Sequence, residues 1–283
     1  MIRTARCYSH RAVLFHAVDY FRTMSHLWRA KQYAAYVSKA KNRHGIHSPF
    51  VYQLLDEVVY DKTNYPEYAT VESIREELLK RTDEIEITDL GAGSTVNPSN
   101  RRKVADIAKN SAKGGKWGEL LFRLARHFQP EAMIELGTSL GIGSLYQSLG
   151  NPKGNLTTFE GCPNTAAIAR EQFAKANVSP TIIEGNFDET LQPYLDSIDK
   201  LDWAFIDGNH QKEPTIRYFQ QCLEKCHNDS VLLFDDIYWS KGMAEAWKNI
   251  KADERVTVTL DLFQVGIVFL RKQQPKQDFI IRY

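Results

Sequence analysis

The chain has 283 residues, of which 43% are hydrophobic and 25% charged. This composition is typical of soluble globular proteins, and no stretch approaches the roughly 20 apolar residues that span a bilayer, which excludes a transmembrane protein. The length suffices for one large domain, or for a domain of about 150 residues with a substantial extension. The basic N-terminus lacks the uninterrupted apolar run and small-residue cleavage site of a secretory signal, so we expect a cytoplasmic protein.

Residues 1–44 form a basic arm. They hold nine Lys or Arg and one acid, a net charge of +8 against −7 for the remainder. Such an arm could meet nucleic acid or a membrane surface, or it could dock on its own body or on a second subunit. Leu27, Tyr33 and Val37 interleave apolar positions at helix-like spacing, which favours docking. We therefore expect neither a nucleic-acid nor a membrane partner, and a homodimer is one form the docking could take.

Residues 1–114 read as a mainly helical extension with irregular segments. Ser48 and Pro49 begin one helix as N-cap and first residue, with Phe50, Leu54 and Val58 along one face. Further helices are predicted over 70–81, 100–110 and 116–128. The turn residues from Asp89 to Ser94 predict a loop, and His44 and His47 lie in a turn.

From residue 130 the chain alternates short apolar runs with amphipathic stretches, which predicts an α/β domain over 115–283 around a mostly parallel sheet. The predicted strands are 132–136, 155–160, 181–184, 202–207, 230–235, 256–263 and 266–271, and the helices are 142–150, 163–176, 188–198, 214–227 and 241–251. Only Gln264 and Val265 separate the last two strands, so these must form an antiparallel hairpin. Cys222 and Cys226 would share a helical face as buried, reduced thiols.

The segment MIELGTSLGIGSLY, residues 133–146, has the features of a ligand-binding turn. An apolar strand ends near Glu135 and runs through Gly137, Gly141 and Gly143 into a helix, and glycines let the backbone approach a ligand closely. A dinucleotide fingerprint beginning at Gly141 would need a third glycine at 146, where this chain has Tyr146. The spacing, acidic-x-Gly-x-x-x-Gly-x-Gly, instead resembles motif I of the class I methyltransferases, and the alternative is a plain strand-to-helix turn.

A second glycine turn, Asp89 to Ser94, competes with the first. A ribose-binding carboxylate is expected about 20 residues on, at the end of the next strand. Glu160 lies 23 residues after Gly137, whereas SAKGGK follows Gly91 at that distance. We therefore assign cofactor binding to the turn at 135–144, with Glu160 on the ribose hydroxyls and Asn186 and Phe187, after the third strand, near the base.

The fourth and fifth strands end in FIDGNH and LLFDDIYW. Asp207, Asp235 and Asp236 should therefore meet at the carboxyl edge of the sheet, where ligands of open α/β folds bind. Like charges in a dry cleft repel unless a cation or proton compensates, and Mg²⁺ prefers oxygen ligands. Tyr238 and Trp239 follow the acidic pair, and could wall an acceptor pocket or serve as core residues.

This order of motifs resembles the class I S-adenosylmethionine-dependent methyltransferases. From about Lys116 to Lys272 the chain looks like metal-dependent O-methyltransferases of the catechol and macrocin types, which implies their Rossmann-like fold with an antiparallel C-terminal hairpin strand. The resemblance implies Asp207, Asp235 and Asp236 as ligands of Mg²⁺ or another divalent cation. It implies S-adenosylmethionine bound by Glu135, Gly137, Thr138, Ser139, Gly141, Gly143, Ser144, Glu160, Gly161, Asn186, Phe187 and Asp207.

The chain also departs from those families. His210 stands where the catechol branch has a lysine as general base, so His210 and Asp207 are the expected catalytic residues. KAKNRHGIHSPFVYQLLDE and the Asp89–Ser94 loop have no counterpart there and resemble an uncharacterised bacterial methyltransferase group. The expected function is O-methylation of a small-molecule hydroxyl with metal assistance. The alternatives are an RNA methyltransferase that uses the basic arm and a non-catalytic cofactor-binding protein.

Overall fold

A computed structural model describes residues 26–88, 100–110 and 114–283. Helices dominate the N-terminal part, as predicted, and the Ser48 hydroxyl accepts a hydrogen bond from Val51 N at the start of α2. A short antiparallel pair, β1 and β2, was not predicted. The elements are α1 (26–39), a 3₁₀ turn (Arg43–Gly45), α2 (Pro49–Leu54) continuing into a π-helical turn (Leu55–Val59), α3 (Pro66–Leu79), β1 (Glu84–Glu86), β2 (Arg101–Lys103), α4 (Val104–Asn110) and α5 (Gly115–Phe128).

Strands and helices alternate through the rest of the chain. The order is β3 (Ala132–Leu136), α6 (Ile142–Gly150), β4 (Asn155–Glu160), α7 (Pro163–Lys175), β5 (Thr181–Glu184), α8 (Phe187–Asp196), β6 (Leu201–Ile206), α9 (Lys212–Leu223), β7 (Cys226–Asp235), α10 (Lys241–Ala252), β8 (Val258–Asp261), β9 (Val265–Phe269) and β10 (Gln277–Ile280). All seven predicted strands are present. The α/β class and the terminal hairpin are confirmed.

The main sheet has eight strands in the order β10-β8-β9-β7-β6-β3-β4-β5. Every neighbouring pair is parallel except those that involve β9, which runs antiparallel to both β7 and β8. The eighth strand, β10, extends the predicted seven. Strand β10 is a four-residue edge strand that follows a polar turn. Its short sequence does not predict a strand, because its formation depends on pairing with β8.

Two apolar layers cover the sheet because successive strand residues point to opposite faces. On β6, Trp203 and Phe205 join the cluster that contains α5–α7 and the N-terminal helices, whereas Ala204 and Ile206 join the cluster that contains α8–α10. The N-terminal extension therefore shares one hydrophobic core with the α/β part. The domain boundary at residue 114 stays a prediction.

The predicted helix over 214–227 is too long. Helix α9 ends at Leu223, and Cys226 begins β7 opposite Leu201 of β6. Pairing with the neighbouring strand outweighs the local helical pattern at this point. Cys222 and Cys226 therefore do not share a helical face, and both are free thiols, Cys222 fully buried.

The part of the arm that the structure describes docks on the chain's own body through α1. Tyr36 is 6% exposed, and its hydroxyl donates to the carbonyl of Ile281 at 2.5 Å. Its ring packs 5.3 Å from that of Phe263, in the β8–β9 turn. The docking residue is not among the three expected ones: Leu27, Tyr33 and Val37 are exposed, although the Tyr33 ring edge meets Phe263.

Residues 26–88, 100–110 and 114–283 contain no helix with the length and apolar character needed to cross a membrane.

Replacing Tyr36 by Ala should lower the free energy of unfolding by about 3–5 kcal/mol, because a buried aromatic ring and its hydrogen bond are lost. Urea denaturation measures the change. The control is Leu27→Ala on the same helix, which should stay within about 0.5 kcal/mol of the wild type because Leu27 is 63% exposed. Equal effects of the two substitutions would show that α1 does not dock through Tyr36.

Candidate active site

The turn between β3 and α6 places backbone where two side chains would collide. Gly137 has φ +106°, and a Cβ there would lie within 2.9 Å of the carbonyl carbon of Asp207. Gly141 has φ +85°, and its Cβ would lie 2.7 Å from the Phe173 ring. Both positions thus require glycine for conformation and for space. Asp207 N donates to Leu136 O at 2.9 Å, so the ends of β3 and β6 are joined directly.

Glu135 lies beneath this turn and is only 1% exposed. Its carboxylate accepts hydrogen bonds from the Ser144 hydroxyl, from Thr158 Oγ1 at 2.7 Å and from Gln147 Nε2 at 2.7 Å. A Cβ on Gly143 would lie 2.9 Å from the same carboxylate, so the third glycine of the motif makes room for Glu135. Burial raises the pKa of the Glu135 carboxyl to about 7 despite these hydrogen bonds.

This burial changes the role expected for part of the turn. Glu135, Thr138 and Ser144 have at most 2% of their surface exposed, so they lie behind the turn and support it rather than face the crevice. Gly137 and Ser139 are the half-buried positions of the turn. Direct cofactor contact is therefore open to the backbone around these two residues.

Glu160, at the end of β4, accepts hydrogen bonds from the turn after β3 and from the loop after β4. Its Oε2 accepts from Ser139 N at 2.7 Å and its Oε1 accepts from Cys162 N at 2.9 Å. Burial raises the pKa of the Glu160 carboxyl, whereas the backbone hydrogen bonds act in the opposite direction. Glu160 therefore ties the turn after β3 to the loop after β4 through its carboxylate.

Phe187 and the loop after β6 form the next part of this edge. The Phe187 ring packs so closely on Gly208 that a Cβ there would lie 2.5 Å from its Cε2. His210 Nε2 lies 3.7 Å from Asp207 Oδ1, with both side chains partly exposed. Asn186 caps α8, because its Oδ1 accepts from Asp188 N at 3.1 Å. The structure therefore groups Phe187, Asp207 and His210 near the Gly137 turn.

The two aspartates after β7 differ in environment. Asp235 is the last paired residue of β7, opposite Val265, and is 2% exposed. Asp236 is half-buried with φ +50°. In the described part of the chain, no three His, Cys, Asp or Glu side chains form a group that could hold a metal ion. Cation binding by Asp207 together with this pair therefore stays a prediction.

Aromatic side chains wall the same edge beyond the aspartates. Because β9 runs antiparallel to β7, the β8–β9 turn lies at the carboxyl end of β7. There the Tyr238 ring stacks 5.2 Å from that of Phe263, and its hydroxyl donates to Asp261 Oδ2 at 2.7 Å. The Arg29 guanidinium of α1 lies 4.7 Å from the centre of the Trp239 ring. The docked helix α1 therefore borders the crevice on the side of Tyr238 and Trp239.

Backbone strain gathers at this edge of the sheet. Among the described residues, six non-glycine residues have positive φ, and four of them, Ser139, Asn209, Asp236 and Phe263, lie in the loops just described. Such conformations persist only where the surroundings enforce them, and they are frequent at functional sites.

Several supporting residues were not predicted. Gln147 holds Glu135 and accepts from Trp203 Nε1 at 2.8 Å. Asn209 Nδ2 donates to the Tyr218 hydroxyl at 3.2 Å, which in turn donates to Asp188 Oδ1 at 2.7 Å. Gln147 could have been noticed in the sequence as a polar residue on a largely apolar stretch of α6. The Asn209–Tyr218–Asp188 hydrogen bonds could not, because they join residues up to 30 positions apart. The Asp89–Ser94 loop lies outside the described residues.

Comparison with known proteins supports the expected family. Residues 134–237 match a family described as "Methyltransferase domain". A putative O-methyltransferase of Mycobacterium sp. (strain JLS) is 31% identical over 118 residues, 40% of this chain and 52% of that protein. The catechol O-methyltransferase of Mycobacterium tuberculosis is 26% identical over 138 residues, 47% of this chain and 60% of that protein. The chain therefore spans less than two thirds of these relatives.

Solved structures agree on the fold. The SAH-bound methyltransferase PaMTH1 of Podospora anserina aligns with a TM-score of 0.51 and 19% identity over 75% of this chain and 99% of that one. The O-methyltransferase TomG of Streptomyces achromogenes, solved with SAM, aligns with a TM-score of 0.52 and 18% identity over 74% and 91%.

The sheet and its glycine turn define a Rossmann-like α/β fold of the class I methyltransferase type. Residues 134–237 match the methyltransferase domain family, and this part of the chain is similar in sequence to O-methyltransferases.

The Glu135 carboxyl should make stability depend on pH. Its folded pKa, about 7, exceeds the ordinary 4.5, so its contribution is complete below about pH 4.5 and is lost as the pH rises through 7. Across that range the wild type should lose on the order of 1–3 kcal/mol relative to Glu135→Gln, measured by urea unfolding at each pH. The exposed control Glu76→Gln should track the wild type, and an unchanged difference for Glu135→Gln would contradict the buried titration.

Proposed function

We propose that this chain is an S-adenosylmethionine-dependent methyltransferase that methylates a hydroxyl group of a small molecule. The observation that carries the proposal is the pairing of the Gly137 turn with Glu160, whose carboxylate at the end of β4 accepts a hydrogen bond from Ser139 N of that turn. The family match over this region and the O-methyltransferase relatives support it.

The residues present fit such a cofactor. Glu160 would accept hydrogen bonds from the two ribose hydroxyls, a task suited to an ionised carboxylate. Phe187 offers an apolar face beside the backbone of Gly208, where a planar base would pack. The backbone around Gly137 and Ser139 would meet the polar remainder, since no side chain at 137 stands in the way.

The acceptor would lie on the other side of Asp207, towards Tyr238 and Trp239. Bound S-adenosylmethionine supplies a methyl group on a positively charged sulfur. His210 Nε2, or water, would take the proton of an acceptor hydroxyl held there, so that its oxygen could receive the methyl group. Alignment of the two reactants can lower such a barrier by roughly 7–11 kcal/mol.

Asp207 would position His210. Its Oδ1 lies 3.7 Å from His210 Nε2, so the two side chains adjoin one another. The Asn209–Tyr218–Asp188 chain of hydrogen bonds holds the loop that carries both residues. Positioning and proton removal are thus assigned to neighbouring side chains of one loop.

Divalent-metal assistance is a separate, finer proposal from the sequence. Within the described residues no three His, Cys, Asp or Glu side chains form a metal-holding group, so a cation would be held by fewer of the carboxylates of Asp207, Asp235 and Asp236 together with water. No step above passes through a cation.

Cofactor affinity should depend on Glu160 and Gly137. Glu160→Gln removes charge-assisted hydrogen bonds and should weaken S-adenosylhomocysteine binding about tenfold or more in calorimetry. Gly137→Ala should weaken it too, because the Cβ displaces the Asp207 backbone. Glu184→Gln, at the end of the adjacent strand β5, is the matched control and should bind normally, since Glu184 pairs with Arg170. Unchanged affinity in both site variants would refute this cofactor site.

His210→Ala should lower kcat by roughly 10² to 10⁴ if His210 removes the proton. The loss should shrink as the pH rises, because the substrate hydroxyl then ionises unaided. His227→Ala, at the opposite end of the sheet, serves as control in the same methyl-transfer assay. A deficit that is equal at every pH would assign His210 a structural role instead.

The metal proposal is tested by chelation. It expects excess EDTA to abolish methyl transfer while S-adenosylhomocysteine affinity is retained, and Mg²⁺ to restore the rate. Asp236→Ala should reproduce the effect of chelation. Full activity in EDTA, together with an active Asp236→Ala variant, would assign the chain to the metal-independent methyltransferases.

A further inference from the structure

A second cavity, of about 590 Å³, lies between the N-terminal extension, helix α5 and the C-terminal residue Tyr283. It shares no lining residue with the Gly137 turn, Glu160 or the three aspartates. Its walls come from the segment around Arg43 and His44, the residues after the π-helical turn, helix α5 and Tyr283. The volume lies in the range of small-molecule pockets, roughly 300–1,000 Å³.

The cavity gives the unusual N-terminal motif a place in the fold. KAKNRHGIHSPFVYQLLDE has no counterpart in the O-methyltransferases that the rest of the chain resembles. Asn42, Arg43, His44 and Val59, all within or next to that motif, line the cavity. The His44 turn is built locally, because Asn42 Oδ1 accepts from His44 N at 3.1 Å.

Arg123 of α5 supplies a buried positive charge to this cavity. Its side chain is 5% exposed, and its three described hydrogen bonds go to neutral oxygens: Val58 O at 2.8 Å, the Tyr68 hydroxyl at 3.2 Å and the Tyr283 hydroxyl at 3.1 Å. A guanidinium has five N–H donors, so two are left over within the described part of the chain. The Glu119 carboxylate stands 3.6 Å away, outside hydrogen-bonding distance.

Lys116 adds a second positive charge at the rim. Its ammonium lies 4.7 Å from the centres of both the Trp117 and Tyr283 rings. No ion pair joins it to a described carboxylate, and burial lowers the pKa of Lys116. The two rings hold the ammonium in place by cation–π attraction, and the Tyr283 hydroxyl donates to Lys116 O at 2.8 Å.

The balance of charge favours an anion. Four cationic side chains line the cavity, Arg43, Lys62, Lys116 and Arg123, against the carboxylates of Asp61 and Glu119. Arg43 is paired with Asp56, which leaves three cations against these two carboxylates. Both Asp61 oxygens already accept hydrogen bonds, from Thr63 N at 2.8 Å and the Tyr65 hydroxyl at 2.9 Å. A guanidinium with an ammonium nearby is the donor set that recognises phosphate or carboxylate oxygens.

We propose that this cavity is a binding site for the phosphate or carboxylate group of a small anionic molecule, separate from the methyl-transfer site. Arg123 forms its floor, and Lys116 and Lys62 contact the anion from the rim. The site shares no lining residue with the cofactor turn, so it can be occupied whether or not the cofactor is bound.

The test uses the full chain and two probes, inorganic pyrophosphate and citrate, titrated by calorimetry at constant ionic strength so that unspecific attraction is screened equally. Lys116→Gln and Lys62→Gln should each weaken binding about tenfold, the loss of one charge-assisted hydrogen bond. Both side chains are exposed, so these variants should remain folded. The control Lys153→Gln, an exposed lysine in the α6–β4 loop, should bind like the wild type.

The outcomes separate the alternatives. Binding of pyrophosphate alone assigns the site to phosphates, and binding of citrate alone assigns it to carboxylates. Binding must also survive Glu160→Gln, which distinguishes this cavity from the cofactor site. The proposal is overturned if neither anion binds, or if Lys116→Gln and Lys62→Gln bind as tightly as Lys153→Gln.

Discussion

A single buried carboxylate organises the carboxyl edge of the sheet. Glu135 of β3 accepts hydrogen bonds from Thr158 of β4 and from Ser144 and Gln147 of α6. The Gln147 side chain also accepts a hydrogen bond from Trp203 of β6. Three adjacent strands and the helix after the glycine turn are thereby tied to one group. A hydrogen-bond acceptor is needed at this position, because the donors of Ser144, Thr158 and Gln147 point into a space that water does not reach.

The turn above Glu135 gains its shape from this support. Gly137 can lie against the Asp207 carbonyl because β3 and β6 are held in register beneath it, and Glu160 closes the other side through Ser139 N. The turn between β3 and α6 is therefore held in one backbone conformation by its neighbours. The positive φ angles of Ser139, Asn209 and Asp236 are imposed by a rigid surround, which keeps the backbone donors and carboxylates of the crevice in place before any ligand arrives.

The N-terminal extension takes part in the fold on two sides. Through Tyr36 and Arg29, α1 meets the β8–β9 turn and Trp239, next to the acidic pair. Through Val51, Leu54 and Val58, the following helix and π turn enter the same core as α5 and α6. The Tyr36 hydroxyl donates to Ile281 O and Lys41 N donates to Ile280 O, so the extension and the C-terminal strand β10 stabilise one another. Tyr283 in turn joins Arg123 and Lys116 of α5.

Much of this protein follows from its sequence. Apolar alternation predicted the strands of the main sheet except β10, and the two-residue link at 264–265 predicted the hairpin, because neither depends on distant partners. The glycine spacing and the position of Glu160 located the candidate cofactor turn. These features are local, and local sequence encodes them through steric limits on φ and through burial.

Tertiary structure decided the rest, because the deciding contacts join residues far apart in the chain. Only the packed sheet shows that Glu135 and Ser144 face inward, that Asp235 is buried opposite Val265, and that Cys226 pairs with β6 instead of extending α9. The placement of Arg123 between Val58, Tyr68 and Tyr283 spans up to 160 positions. A sequence pattern reports which residues prefer burial, whereas the partner that satisfies a buried charge is set by the fold.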